Sequence, residues 1–170
     1  MSLERIVFRS VQPGDEEFLY QVYASTRQEE LDTTGWDEAA KEAFLRQQHH
    51  AQHSYYQQQF PAASFDIIQA DNRYVGRLYV DRRADEIRII DIALLPQHRR
   101  QGIGAALLTD ILEEAGEAGL PVRIHVECSN PALHLYRNLG FKELENQGVY
   151  LLMEWRSTTG SSHTGRSGEQ

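Results

Sequence analysis

Arg99, Gly102 and Gly104 stand at the spacing R-x-x-G-x-G, directly after a β-type apolar run that ends at Pro96. Small residues let backbone approach a ligand closely, and the first N–H groups of a helix have no intrahelical partner, so a helix opening there binds anions. Leu107, Leu108, Ile111, Leu112 and Ala115 follow at helical spacing on one face. Arg100 adds a second positive charge. The segment Arg99, Arg100, Gln101, Gly102, Ile103, Gly104 and Ala105 therefore suits a phosphorylated ligand. A second set of residues could handle protons. Arg123, His125 and Glu127 alternate with Val122, Ile124 and Val126, which gives a strand with one polar face. His125 has a suitable intrinsic pKa, and Glu127 sits at the strand end. Asp91 interrupts an apolar run, so it is either exposed at an opening or paired within the sheet. Arg88, nearby, cannot accept a proton. A salt bridge to Arg123 or Arg88 is the plain structural alternative for His125 and Glu127.

The glycine pattern separates three kinds of phosphate site. A Walker-type loop needs Lys-Ser/Thr after its second glycine, where this chain has Ala105-Ala106. A dinucleotide fingerprint needs a third glycine, where this chain has Leu107, and a basic turn from Gln97 to Gln101 separates the strand from Gly102. The motif also begins past the middle of the chain, leaving no room for a second nucleotide-binding half.

Arg99-x-x-Gly102-x-Gly104 resembles the pyrophosphate-binding signature of the GNAT superfamily of acyl-CoA-dependent N-acyltransferases. The flanks agree. Upstream, Ile92-Ala93-Leu94-Leu95-Pro96 is similar to the end of that family's fourth strand, and downstream Asn130 to Phe141 (NPALHLYRNLGF) resembles its N-x-x-A-x-x-L-Y-x-x-x-G-F segment. The resemblance is sharp from about residue 87 to 141.

That resemblance implies a mixed α/β fold: a mostly antiparallel central sheet of about seven strands flanked by about four helices. It implies acetyl-CoA as donor substrate, with no metal, and direct attack by an amine in a ternary complex. By position, Leu94 would bond the pantetheine arm, and Ile92 or Ala93 would offer an N–H to the acyl carbonyl. Tyr136 falls on the tyrosine that protonates the departing thiolate; a phenol, with a reference pKa of ~10, stays protonated and ready to donate. A packed aromatic beside Ala132, Leu135 and Leu139 is the structural alternative. Asn130 falls on an asparagine that bonds the CoA arm, and a helix cap would look the same. The base stays open among Asp91, His125 and Glu127.

Positioning these residues requires the following elements. A strand over Arg5–Ser10 precedes a turn at Pro13-Gly14-Asp15 and a helix carrying Phe18, Leu19, Val22 and Tyr23. A long helix is expected from about Trp36 to Gln59, with Asp37 and Glu38 at its positive end. Phe65–Ala70 and Tyr74–Asp81 form a hairpin around Asp71-Asn72-Arg73. Then come a strand over Ile87–Leu95, the glycine turn, a helix to about Ala118, and a strand over Val122–Glu127. Asn130 as N-cap, Pro131 at the first helical position and Gly140 past the end punctuate a short helix. Glu143-Leu144 and Val149–Trp155 close the sheet around Gln147-Gly148.

The chain of 170 residues is expected to form one domain over 1–156, with a disordered polar tail over 157–170. A formal charge of −8 argues against a nucleic-acid partner. No apolar run approaches the ~20 residues of a membrane helix, and Met1 to Gln12 lacks the apolar core of a signal peptide. The single Cys128 suits a reducing cytoplasm and reads as a small packing residue. Gln47 to Gln59 holds nine Gln or His among thirteen residues, which is either a solvated face or a neutral stripe that reads a polar substrate. Arg27, Glu30, Trp36, Gln52, Tyr55 and Tyr56 join it as candidates for an acceptor wall. His49 and His53 have the spacing of a metal pair, with no third ligand in the sequence to support one. The expected activity is acetyl transfer to a small-molecule polar amine. A protein or peptide amine and a non-catalytic acyl-CoA-binding module are the alternatives, and a homodimer is compatible with all three.

Overall fold

The computed structural model describes residues 5–158. Of the expected tail only Ser157 and Thr158 fall within that range; the rest lies outside the described residues. Seven strands make one sheet in the order β1-β2-β3-β4-β5-β7-β6, accompanied by four α-helices among the described residues, so the expected mixed, mostly antiparallel fold is the one that forms. The chain divides into two compact units, Met1–Tyr79 with Asp91–Gln101, and Val80–Ile90 with Gly102–Gln170.

In the first unit, β1 (Ile6–Ser10) pairs antiparallel with β2 (Ser64–Ala70). β2 turns into β3 (Arg73–Arg82) through Asp71 and Asn72, at φ 53° and 67°. Two left-handed residues in a row make the primed turn whose twist matches a hairpin. α1 (Glu16–Asp32) starts after a 3₁₀ turn at Pro13–Asp15, where Asp15 accepts from the Gln12 N–H at 2.7 Å and from Arg9 Nη2 at 2.7 Å. α2 (Glu38–Gln59) begins two residues later than expected, because Asp37 stays extended and accepts the Ala40 N–H at 2.8 Å as the N-cap. Tyr20, Tyr23, Ala24, Leu31 and Leu45 pack α1 on α2.

In the second unit, α3 (Ile103–Ala118) buries Ile103, Leu107, Leu108, Ile111, Leu112 and Ala115, the face expected from periodicity. β4 (Ile87–Leu94), whose first half belongs here, pairs parallel with β5 (Val122–Glu127). β5 in turn pairs antiparallel with β7 (Tyr150–Trp155), and β7 with β6 (Lys142–Asn146). α4 spans Leu133–Asn138, and here the structure corrects the expected cap. Ala132, not Asn130, is the N-cap residue. Asn130 sits two residues earlier in a turn, its Oδ1 accepting the Ala132 N–H at 2.8 Å and its carbonyl accepting the Leu133 N–H at 3.1 Å. The α-helical ladder starts only with Tyr136 N–H to the Ala132 carbonyl. Gly140 ends the helix as expected, at φ 105°, and the Phe141 N–H returns to the Tyr136 carbonyl at 3.0 Å.

Candidate active site

In the first unit, Ile92, Ala93 and Leu94 are half-buried at the end of β4. Gly76 of β3 lies against them so closely that a Cβ there would sit 2.2 Å from the Ala93 carbonyl oxygen. The Leu95 N–H donates to the Val75 carbonyl at 2.9 Å, locking the two strands at this point. The turn beyond contains a 3₁₀ segment, Pro96–His98. Arg99 folds back, its Nε donating to the Leu94 carbonyl at 2.9 Å and its Nη2 to Ser25 Oγ at 3.2 Å. Arg100 follows in the left-handed region at φ 61°, with its side chain exposed.

Asp91 is paired, one of the two environments expected for it. Its Oδ2 accepts from Nη2 of Arg77 at 2.5 Å. Arg77 is only 3% exposed and donates also to Gln52 Oε1 at 3.0 Å. Burial works against the guanidinium charge, and Asp91 together with Tyr79 and Tyr56 more than offsets it, so the Arg77 pKa rises. Tyr79, fully buried, lies with its ring centroid 5.2 Å from the Arg77 guanidinium, and burial above all pushes its phenol up to about 12.

The Gln/His-rich part of α2 splits into two faces. His49, Gln52, His53 and Tyr56 turn inward, Tyr56 against Tyr79 with ring centroids 6.0 Å apart, while Tyr55 is exposed. Trp36 is exposed against Phe44, and Arg27 pairs with Glu30 at 2.9 Å on the α1 surface. His49 and His53 rings lie 6.1 Å apart, and no group of three or more metal-ligating side chains occurs among the described residues.

Burial, reinforced by the positive charge of Arg77 and by His53, His50 and Arg46, lowers the His49 pKa to about 4. An unfolded histidine titrates near 6.5, so the folded chain binds this proton less tightly than the unfolded one. The stability held above pH 6.5 is therefore lost as pH falls toward 4, by about 3 kcal/mol from this group. Urea unfolding at pH 7 and pH 4.5 should show that loss, and His49→Leu should flatten it. An unchanged pH dependence in His49→Leu would refute the assignment.

In the second unit, Gly102 stands at φ 86° as the N-cap of α3, a conformation that a side chain would strain. The first bond of the helix ladder runs from the Ala106 N–H to the Gly102 carbonyl at 3.0 Å. Among the described residues, the N–H groups of Gly102 to Ala105 have no backbone partner, nor have those of Arg100 and Gln101, which precede them in the chain and belong to the first unit. A Cβ on Gly104 would meet nothing within 4 Å, so open space lies over the helix start.

The polar face of β5 is heavily paired. Arg123 donates to Glu154 at 2.8 Å and to the buried Glu86 at 2.9 Å. His125 Nδ1 is in hydrogen-bond contact with the Arg88 guanidinium; burial first, then the Arg88 charge, lowers its pKa. Glu127 is half-buried at the end of β5, opposite Tyr150. Tyr136 is 3% exposed, edge-on to Phe141 with ring centroids 5.7 Å apart. Cys128 is an exposed thiol that donates to the Gly148 carbonyl at 3.3 Å, rather than a packing residue.

The sequence reading missed Gly76, Arg77 and Tyr79. One signal was present: Arg77 breaks an apolar run as Asp91 does, and two opposite charges each interrupting a buried strand are natural partners.

The profile of the acetyltransferase (GNAT) family matches residues 24–141. The chain belongs to this family. Among curated relatives of this GNAT chain, an N-alpha-acetyltransferase of Sulfurisphaera tokodaii is 38% identical over 60 residues, 34% of this chain and 36% of the relative. A ribosomal protein bS18-alanine N-acetyltransferase of Escherichia coli is 39% identical over 61 residues, 35% of this chain and 41% of the relative. The matches thus span about two fifths of these relatives' lengths. The fold is similar to that of the PaiA N-acetyltransferase from Thermoplasma acidophilum in complex with coenzyme A, with TM-score 0.67, 21% identity, and 92% and 100% of the two chains covered. It is similar also to the ribosomal-protein-S18-alanine N-acetyltransferase from Escherichia coli, with TM-score 0.60, 20% identity, and 89% and 93% covered.

Proposed function

We propose that this GNAT chain transfers the acetyl group of acetyl-CoA to an amine by direct attack. The observation that carries the reading is the start of α3: unpartnered N–H groups from Gly102 to Ala105 beneath open space at Gly104. Such an array suits a pyrophosphate, whose charge the helix end stabilises. In the first unit the half-buried Ile92, Ala93 and Leu94 suit the acyl carbonyl and the pantetheine arm. The amine nitrogen forms a bond to the acyl carbon as the C–S bond breaks. The Tyr136 hydroxyl gives its proton to the departing sulfur. Glu127 takes the amine proton, directly or through water. Asp91 serves by neutralising the buried Arg77 beside the acyl-binding strand.

The acceptor is an amine of one of two classes. The activities named for the relatives favour the α-amine of a peptide or protein, and the inward Gln52, His53 and Tyr56 favour a small polar amine. Thiol release from acetyl-CoA, measured with an N-terminal peptide and with small amines, separates the two. Binding of acetyl-CoA without turnover of either would leave a binding module and sink the enzymatic reading.

Two variants test the donor half. Gly104→Leu is expected to keep its folded stability, since the new side chain meets open space, and to lose CoA binding at least tenfold by calorimetry. Unchanged affinity would remove the pyrophosphate assignment. Tyr136→Phe is expected to lower kcat roughly 100-fold or more while leaving the KM for acetyl-CoA unchanged.

A further inference from the structure

His125 stands on the polar face of β5 between Arg123 and Glu127. The Arg88 guanidinium lies against its Nδ1. A guanidinium has five N–H donors and no acceptor, so Nδ1 must present its lone pair. The neutral ring then carries its proton on Nε2. Partial desolvation of the ring, followed by the charge of Arg88, resists a second proton, and Gln147, then Glu145 and Glu86, favour it more weakly.

The side-chain amide of Gln147, on the turn from β6 to β7, interacts with the ring and favours its protonated form, as an acceptor does. Its NH₂ donates to Glu145 Oε1 at 3.2 Å, and its backbone N–H donates to the Tyr150 carbonyl at 2.8 Å. That leaves the amide oxygen as the group able to face an imidazole N–H. An amide oxygen from an exposed turn is chemically the carbonyl of a peptide unit.

We infer that His125 is a fixed Nε2–H donor that reads a carbonyl oxygen of the acceptor, a place taken by the Gln147 amide in the free chain, and is not the base that deprotonates the amine. The inference rests on the acetyl-transfer reading above. It names the acceptor class as an amine with a neighbouring carbonyl, as in an aminoacyl amide or a peptide N-terminus. His125 and Glu127 leave the same face of β5 two residues apart, about 7 Å along the strand. An α-amino carbonyl unit bridges that interval with one hydrogen bond at each end. His125 is then a specificity-determining residue, and Arg88 sets its tautomer.

Two measurements on the full chain test this. Nitrogen NMR of the ¹⁵N-labelled protein at pH 7, assigned by comparison with His125→Gln, should show a pyridine-type Nδ1 and a pyrrole-type Nε2. A protonated Nδ1 would overturn the inference whatever the activity. Kinetics then compare alaninamide with propylamine, which has no carbonyl. His125→Gln retains an amide N–H and should keep kcat/KM for alaninamide within about threefold. His125→Leu should raise the KM for alaninamide about tenfold, the loss of one hydrogen bond. The preference for alaninamide over propylamine, as a ratio of kcat/KM, should fall about tenfold in that variant, and the acid limb of its pH–rate profile should remain. A large fall in kcat in both variants, with loss of that acid limb, would make His125 the base and end the proposal. A wild-type chain that acetylates neither amine removes the acetyl-transfer reading and the acceptor role with it, while the NMR result still decides the tautomer.

Discussion

Asp91→Ala should destabilise the folded chain by about 3–5 kcal/mol, the cost of leaving a buried charge without its counter-ion. Arg77 is 3% exposed, and the Gln52 oxygen that it would retain is neutral. A fall in Tm of roughly 10 °C or more is the corresponding readout. Replacing both residues, as Arg77→Met with Asp91→Leu, should recover most of the loss, because a well-packed apolar pair avoids the desolvation of both ions. Asp91→Asn separates structure from chemistry. It keeps an oxygen for Arg77 but accepts no proton, so retained activity marks a positioning carboxylate and abolished activity in a folded variant marks a base. If Asp91→Ala is as stable as the parent, the ion pair is not holding this strand.

Gly76→Val should be the most damaging single change in β3. A Cβ there would lie 2.2 Å from the Ala93 carbonyl oxygen and 3.0 Å from Leu94 Cα, both backbone atoms. Neither can move aside without breaking the 2.9 Å bond from the Leu95 N–H to the Val75 carbonyl. Overpacking of this kind costs about 3 kcal/mol or more. The displaced atoms belong to the stretch assigned to the acyl group and the pantetheine arm, so CoA affinity should fall together with Tm. A stable Gly76→Val with unaltered affinity would show that β4 can shift without consequence. Gly104→Leu should show the opposite pattern, with affinity lost and stability kept.

Most of the fold was legible because its signals are local. The buried face of α3, the alternation of β5 and the Asp71-Asn72 turn each follow from a few neighbouring residues, and all three form as expected. The error at α4 has a local cause too. Asn and Pro at successive positions signal a helix start, but here they build a separate turn whose bonds end where the helix begins. The glycine turn that opens α3 was legible for the same reason, since its glycines and arginines are contiguous. What was not legible depends on residues distant in sequence. Gly76 reads as an ordinary strand glycine until Ala93 is seen against it. Arg77 and Asp91 are fourteen positions apart and gain meaning only as a pair. The tautomer of His125 depends on Arg88, thirty-seven positions away.

The side chain of Arg99 gives the turn a thermodynamic character of its own. Its guanidinium already serves the Leu94 carbonyl at 2.9 Å, one of the two lone pairs of that oxygen. A ligand amide bonding to Leu94, as proposed, would share the oxygen with the cation or displace it. Displacement would exchange a charge-assisted bond for a neutral one, at a net cost at that atom, and would set the cation free. The Arg99 contact therefore limits how much affinity this one carbonyl can contribute.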